Sequence, residues 1–158
     1  MFSENMSKHR AKSLLSNCTY ENTKLFVPPL KYGKVVRVYD GDTIHVACTV
    51  FDGIVARFKV RLAGIDCPEL RTKDDSEKKA GYVARDLLSD KISGKTVQLK
   101  DISFDKYGRI LATIYYEKLN INAWMLEQGW ALTYDGKGKK LVKDVNWKQK
   151  LTELKSEL

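Results

Sequence analysis

Hydrophobic and polar residues alternate along much of the chain with the period of two that is typical of β-strands. The clearest case is residues 56–62, where every second residue is apolar and the others are arginine or lysine. Similar patterns predict strands over residues 33–39, 42–50, 95–101 and 109–116. Three consecutive strands joined by tight corners begin an antiparallel barrel or sandwich.

Three other segments carry apolar residues at helical spacing. The first follows a polar loop at residues 70–77, has Asp74 and Glu77 at the spacing of a capping box, and ends at Ser93-Gly94. The others cover residues 121–128 and 142–156. Three strands, a helix, two strands and two helices follow the plan of an OB fold. The sequence therefore predicts an α+β fold, a five-stranded OB-fold β-barrel with three helices.

Residues 1–31 show no sustained periodicity, apart from a helical tendency over residues 7–15. Pro28-Pro29 predicts a stiff junction before the first strand. A chain of 158 residues has the length of one domain. We therefore divide it into an N-terminal basic extension, residues 1–31, and a barrel domain, residues 32–158.

The net charge is +8, and the excess lies at the two ends of the chain. A basic surface favours a polyanionic partner such as nucleic acid, although a charge excess that only aids solubility has the same composition. The three cysteines, an odd number without metal-type spacing, are expected to be free thiols in a reducing compartment. No apolar run suits a membrane span or a secretory leader. We expect no membrane partner and favour an intracellular location.

Two carboxylates stand where strands meet tight corners. Asp42 opens one predicted strand and Asp66 closes another, so the two converge at one rim of the barrel if the strands pack as proposed. Like charges raise each other's pKa, and a hard cation resolves the conflict. Calcium takes carboxylate, carbonyl and water oxygens, and no histidine or cysteine cluster favours zinc. The pattern predicts a Ca²⁺ site.

Phosphodiester hydrolysis needs a base to activate water and cations to hold the negative charge of the transition state. Glu69, three residues past Asp66, is the candidate base. Arg61 and Arg109 are the candidate cations, because arginine binds two phosphate oxygens at once and keeps its charge. A charged strand end and a solvated arginine after a turn are the plain structural alternatives. Lys106 and Tyr107 are candidate substrate contacts.

Residues 35–46, 61–69 and 105–109, in this order and at these separations, resemble the staphylococcal (micrococcal) nuclease family. The resemblance extends from about residue 35 to about residue 134. It implies a five-stranded OB-type barrel and a calcium-dependent phosphodiesterase that acts on DNA and RNA, with single strands preferred. We expect the protein to be a monomer.

The resemblance also implies roles for individual residues. Asp42 and Asp66 match the family's carboxylate metal ligands, and Cys67 matches a residue that provides a backbone carbonyl ligand. Glu69 matches the proposed general base, and Tyr134 lies near the family's base-contacting aromatic residues. The alternative reading is a non-catalytic nucleic-acid-binding OB-fold module, and a third is a scaffold whose basic ends tether it to nucleic acid.

Overall fold

Eight strands, four α-helices and one 3₁₀ turn make up the fold in a computed structural model, which describes residues 7–51, 53–137 and 141–156. In chain order the strands are β1 (Tyr32–Asp40), β2 (Thr43–Thr49), β3 (Val55–Leu62), β4 (Ile65–Asp66), β5 (Thr96–Phe104), β6 (Ile110–Tyr116), β7 (Leu119–Asn120) and β8 (Leu132–Thr133).

Strands β1, β2, β3, β5 and β6 form the barrel. Neighbours pair antiparallel in the order β3-β2-β1-β5-β6, and a parallel pairing of β3 with β6 closes the ring. Closure removes the exposed edges that an open sheet would present. The predicted five-stranded OB-type barrel is confirmed, and its strands match those predicted from alternation to within a few residues.

The core follows the alternation of the strands. Residues that point inward, such as Ile44, Val46, Val60 and Ile114, are completely buried. On β3 the alternation fails at one position, because Arg61 is buried although it shares the polar face of the strand with the exposed Arg57 and Lys59.

The helices are α1 (Lys8–Leu15), α2 (Asp75–Ile92), α3 (Ile121–Glu127) and α4 (Trp147–Ser156), with a 3₁₀ turn at Leu141–Asp144. The single helix predicted over 142–156 is therefore wrong in its first part. Asn146 accepts a hydrogen bond from the Gln149 amide at 3.1 Å, so it caps a new helix there. The helical tendency at residues 7–15 forms α1, which Ser7 caps.

The predicted capping box of α2 forms only in half. Asp74 caps the helix, since its carboxylate accepts bonds from the amides of Ser76 and Glu77 at 2.8 and 3.0 Å. The Glu77 side chain does not return to the cap residue but contacts Glu69 and Lys143. Its contacts join α2 to two distant segments.

The N-terminal arm approaches the barrel at its last residues. Leu30 is buried, and the carbonyl of Lys31 accepts a bond from the Leu99 amide. The division at residue 31 stays a prediction, as does the monomeric state. Cys48 and Cys67 are buried, Cys18 is exposed, and all three are free thiols.

No helix within the described ranges is long and apolar enough to cross a membrane. The glycines and lysines of residues 136–140 predict a mobile segment, and its residues 138–140 lie outside the described part of the chain. Asp52, which with Gly53 predicts a turn between β2 and β3, also lies outside it.

Candidate active site

A cleft of about 720 Å³ opens at one rim of the barrel. It is walled by the β1–β2 corner, the end of β3, the segment after β4, the β5–β6 loop and the chain after β8. All nine residues singled out from the sequence line it: Asp42, Arg61, Asp66, Cys67, Glu69, Lys106, Tyr107, Arg109 and Tyr134.

Arg61 lies at the centre of the cleft and joins its two buried carboxylates. Its Nη2 atom lies 2.7 Å from Asp66 Oδ1 and 3.1 Å from Asp42 Oδ2. The two carboxylate oxygens are therefore no farther apart than the sum of these distances. Residues 42 and 66 converge as the strand pattern predicts, although what lies between them here is a guanidinium.

Backbone pairing sets this geometry. Thr43 pairs with Arg61 across β2 and β3, which places the β1–β2 corner beside the end of β3. The corner needs Gly41, because a Cβ there would lie 2.8 Å from Ala84 Cβ and 2.9 Å from Cys67 Cβ. Glycine thus allows the corner to pack directly against helix α2 and the segment after β4.

Burial makes Asp42 a costly carboxylate. It raises the pKa of Asp42 to about 6, and the nearby Asp40 adds to the rise. The charge of Arg61, the Thr43 hydroxyl at 2.9 Å and the Cys67 amide at 3.2 Å act in the opposite direction. The net shift is still upward, so these contacts only partly offset the cost of burying the negative charge.

Cys67 contacts the site through its backbone amide. Its amide donates to Asp42, while its Sγ and Cβ atoms lie next to Gly41 on the side of the core. Burial raises the pKa of this thiol well above its usual value. A neutral thiol in the core is compatible with a backbone carbonyl role at this position.

Glu69 is half-buried in the cleft wall and held by its backbone. Its amide donates to Glu77 Oε1 at 3.3 Å, and the same oxygen accepts from Lys143 Nζ at 2.7 Å. Close approach of this segment to α2 requires Gly81, since a Cβ there would lie 2.9 Å from the carbonyl oxygen of Pro68. The backbone of the candidate base is thus held against helix α2.

Arg109 stands across the cleft, oriented by Asp105. The Asp105 carboxylate accepts from Arg109 Nε at 2.6 Å and from the Arg109 and Tyr107 amides at 2.8 Å each. These contacts lower the pKa of Asp105, although its partial burial acts in the opposite direction. The Arg109 guanidinium lies 5.5 Å from the centre of the Tyr107 ring, and Lys106 Nζ lies 5.1 Å from it.

Tyr134 reaches the cleft through the short β4–β8 pairing. Its amide donates to the Gly64 carbonyl at 2.9 Å, and its ring centre lies 5.7 Å from the Arg61 guanidinium carbon. The pairing of β4 with β8 therefore places this ring beside Arg61.

The donor set of the cleft fits a hard cation. Asp40, Asp42 and Asp66 line the cleft with carboxylates, the type of oxygen ligand that calcium takes, and Cys67 lines it beside them. Within the described residues, no three His, Cys, Asp or Glu side chains form a ready-made metal cluster. Two carboxylates completed by a carbonyl and water suit calcium better than zinc, which prefers nitrogen and sulfur ligands.

Sequence reasoning missed the groups that hold these side chains in place. Asp105 lay in the quoted 105–109 stretch but received no role, although its spacing of four residues from Arg109 was a usable signal. Thr43 carried no signal of its own, and the spacing of Glu77 from Asp74 indicated only a helix cap. Lys143 contacts a residue 66 positions away, and no local pattern could have indicated it.

The barrel topology and this cleft define an OB-fold protein with a mixed acidic and guanidinium site. The chain belongs to the staphylococcal nuclease homologue family, whose sequence profile matches residues 59–156. The resemblance noted in the sequence is thereby confirmed.

Several relatives are nucleases by name. The chain is 38% identical over 105 residues to an uncharacterized endonuclease of Escherichia coli, covering 66% of this chain and 61% of that protein. It is 39% identical over 101 residues to an uncharacterized endonuclease of Haemophilus influenzae, covering 64% and 51%. It is 38% identical over 118 residues to a micrococcal nuclease of Shigella flexneri, covering 66% and 60%. The chain thus spans between half and two thirds of the length of these relatives.

Proposed function

We propose that this protein is a calcium-dependent nuclease that hydrolyses phosphodiester bonds of DNA and RNA. The observation that carries the proposal is the convergence of Asp42 and Asp66 on Arg61, in a cleft that also contains Glu69 and Arg109. Family membership and the relatives named as nucleases support it.

Asp42, Asp66 and the Cys67 carbonyl are the proposed calcium ligands. Calcium supplies the positive charge that polarises a phosphate oxygen, without proton transfer. A cation bound beside Asp42 would also favour the ionised form of this carboxylate, which burial disfavours. A cation held there would compete with Arg61 for both carboxylates and would leave more of the guanidinium for substrate.

Glu69 accepts a proton from the water that attacks phosphorus. General-base catalysis of this kind contributes about 10²–10⁴-fold. The bond from its backbone amide to Glu77 limits movement of the segment that carries it. Proximity to a fixed helix therefore orients the base before substrate arrives.

Arg61 and Arg109 bind the negative charge that develops on the phosphate oxygens. Arg61 uses Nη2 for both described carboxylates, and Arg109 uses Nε for Asp105. Each guanidinium has five N–H donors, so both have donors left for oxygen. Lys106, Tyr107 and Tyr134 are the proposed contacts to further phosphates and to bases.

Cleavage of end-labelled single-stranded DNA and RNA tests the proposal, in calcium and in chelator. We expect shortening of both substrates in calcium only, and a loss of about 10²–10⁴-fold in kcat for Glu69→Gln. Glu127→Gln is the matched control, because it removes the same charge from an exposed residue at the end of α3.

Two outcomes would contradict the proposal. Retardation of the substrate without shortening at any calcium concentration would favour the non-catalytic nucleic-acid-binding module. Full activity of the Glu69→Gln protein would remove Glu69 from the mechanism.

A further inference from the structure

A second group of cations lies outside the cleft, on one face of β1 and β3 and in the segment between β4 and α2. Its members are called here the cationic patch: Arg37, Arg57, Lys59 and Arg71. Arg37 pairs with His45 across β1 and β2, and His45 pairs with Lys59 across β2 and β3. These two cations and the histidine therefore form one row across the sheet.

Tyr39 is at the centre of the patch. Its ring centre lies 5.1 Å from Lys59 Nζ, 5.5 Å from the Arg37 guanidinium carbon and 6.0 Å from that of Arg71. The His45 ring is parallel to it within 2°, with the centres 6.4 Å apart. The ring of Tyr39 is therefore surrounded by cations, and little of its surface is left for stacking on a nucleic-acid base.

The positive charge of the patch is not neutralised by neighbours. Its four members are exposed, and none forms an ion pair with a carboxylate within residues 7–51, 53–137 and 141–156. Partial burial lowers the pKa of His45, and so do the charges of Arg37, Arg57 and Lys59. Like charges held this close repel one another, which a bound polyanion would relieve.

The patch is continuous with the cleft. Arg57, Lys59 and Arg61 are alternate residues on one face of β3, roughly 6.5 Å apart along the strand. Arg61 is the buried arginine of the cleft. A second cavity of about 600 Å³, lined by Arg57 and Lys59, shares Phe104 and Arg109 with the cleft.

We propose that the cationic patch binds the phosphate backbone of a nucleic-acid strand that runs out of the cleft along β3. The direction of the strand rests on the proposed function, since it starts from the phosphate held by Arg61 and Arg109. The contact is independent of base sequence, because cations surround the aromatic ring of the patch. A substrate must extend beyond the cleft to use it.

Binding in chelator tests the patch separately from cleavage. The variant is Arg37→Gln/Arg57→Gln/Lys59→Gln, and the probe is a fluorescent single-stranded oligonucleotide followed by anisotropy. Each lost phosphate contact lowers the slope of log Kd against log salt concentration by about 0.7, so the slope is expected to fall by about 2. A matched control, Lys118→Gln/Lys148→Gln/Lys155→Gln, removes three exposed charges elsewhere.

A spectroscopic readout reports on the site itself. Phosphate near the patch offsets the three cations that lower the pKa of His45. The NMR titration of the wild-type protein is therefore expected to show a higher pKa for His45 when the oligonucleotide is bound. An unchanged His45 titration, with binding demonstrated under the same conditions, would contradict the proposal.

The outcomes separate this inference from the proposed function. An unchanged salt slope in the patch variant would overturn the proposed role of the patch, whether or not the protein cleaves. An equal loss of slope in the control variant would do the same. Binding that depends on the patch without any cleavage in calcium would instead overturn the proposed function. Loss of binding to anionic phospholipid vesicles, with oligonucleotide binding intact, would reassign the patch to a membrane surface.

Discussion

Replacement of Glu77 by glutamine tests how the candidate base is held. Glu77 Oε1 accepts from Lys143 Nζ at 2.7 Å and from the Glu69 amide at 3.3 Å. Glutamine keeps the size of the side chain but removes the charge from both bonds. A hydrogen bond to a charged group contributes about 1.5–3 kcal/mol, against about 0.5–1.5 for a neutral one.

The expected loss of stability is at the low end of that difference. Lys143 is 43% exposed in its side chain, so solvent screens the pair. We expect the free energy of unfolding to fall by about 1 kcal/mol, which in a chain of this length lowers Tm by about 2–4 °C. Urea unfolding of the wild type and the variant measures it.

The effect on turnover is expected to be larger than the effect on stability. A small displacement of a catalytic group can cost up to about 10²-fold, so we expect a loss of about tenfold in kcat. Lys143→Gln is the matched control, because it breaks the ion pair and keeps the bond to the Glu69 amide. That variant is expected to lose stability but to keep its kcat.

Two results would refute this reasoning. An unchanged kcat in Glu77→Gln, with the expected loss of stability, would make Glu77 a structural residue only. An equal loss of kcat in Lys143→Gln would show that the C-terminal segment, rather than the bond to the Glu69 amide, positions the base.

Three further predictions follow from the same contacts. Burial raises the pKa of Glu77, but its hydrogen bonds outweigh this effect and lower the pKa from 4.5. The stabilising effect of the charged Glu77 is therefore present above pH 4.5 and is lost as the pH falls through the lowered pKa. The difference in stability between the wild type and Glu77→Gln, measured by urea unfolding, is expected to disappear in acid; a constant difference would show that the pair is unimportant. Gly41→Ala places a Cβ 2.8 Å from Ala84 and is expected to cost about 1–3 kcal/mol, whereas an unaltered Tm would mean that the corner yields freely. Arg61→Lys keeps the charge that meets both carboxylates but loses the further N–H donors of the planar guanidinium, and kcat is expected to fall by about 10²–10³-fold; wild-type turnover would show that charge alone suffices.

Alternation was enough to predict the five strands of the barrel, because each strand buries one face and its period of two is visible locally. The same rule mispredicted Arg61, which is buried where β3 meets β6 and the two carboxylates. The last helix was predicted to begin at residue 142, but it begins at Trp147, after the cap at Asn146. Local periodicity thus predicts elements better than their interruptions.

The site was predictable where its residues lie in short stretches next to corners, as Asp42, Asp66 and Glu69 do. It was not predictable where a site residue is positioned by contacts between residues that are far apart in the sequence. The Glu77–Lys143 pair spans 66 residues and depends on how α2 packs near the 3₁₀ turn. The cationic patch needed the strand register, which the irregular β1–β2 pairing near Arg37 and Tyr39 hides in the sequence.

Calorimetry of calcium binding to the wild type and to Asp42→Asn/Asp66→Asn tests whether the two carboxylates hold a metal ion. We expect one saturable calcium site per wild-type chain and none in the double variant, while the variant remains folded by circular dichroism. Equal calcium binding by both proteins, or no saturable binding by the wild type when an oligonucleotide is present, would contradict this expectation.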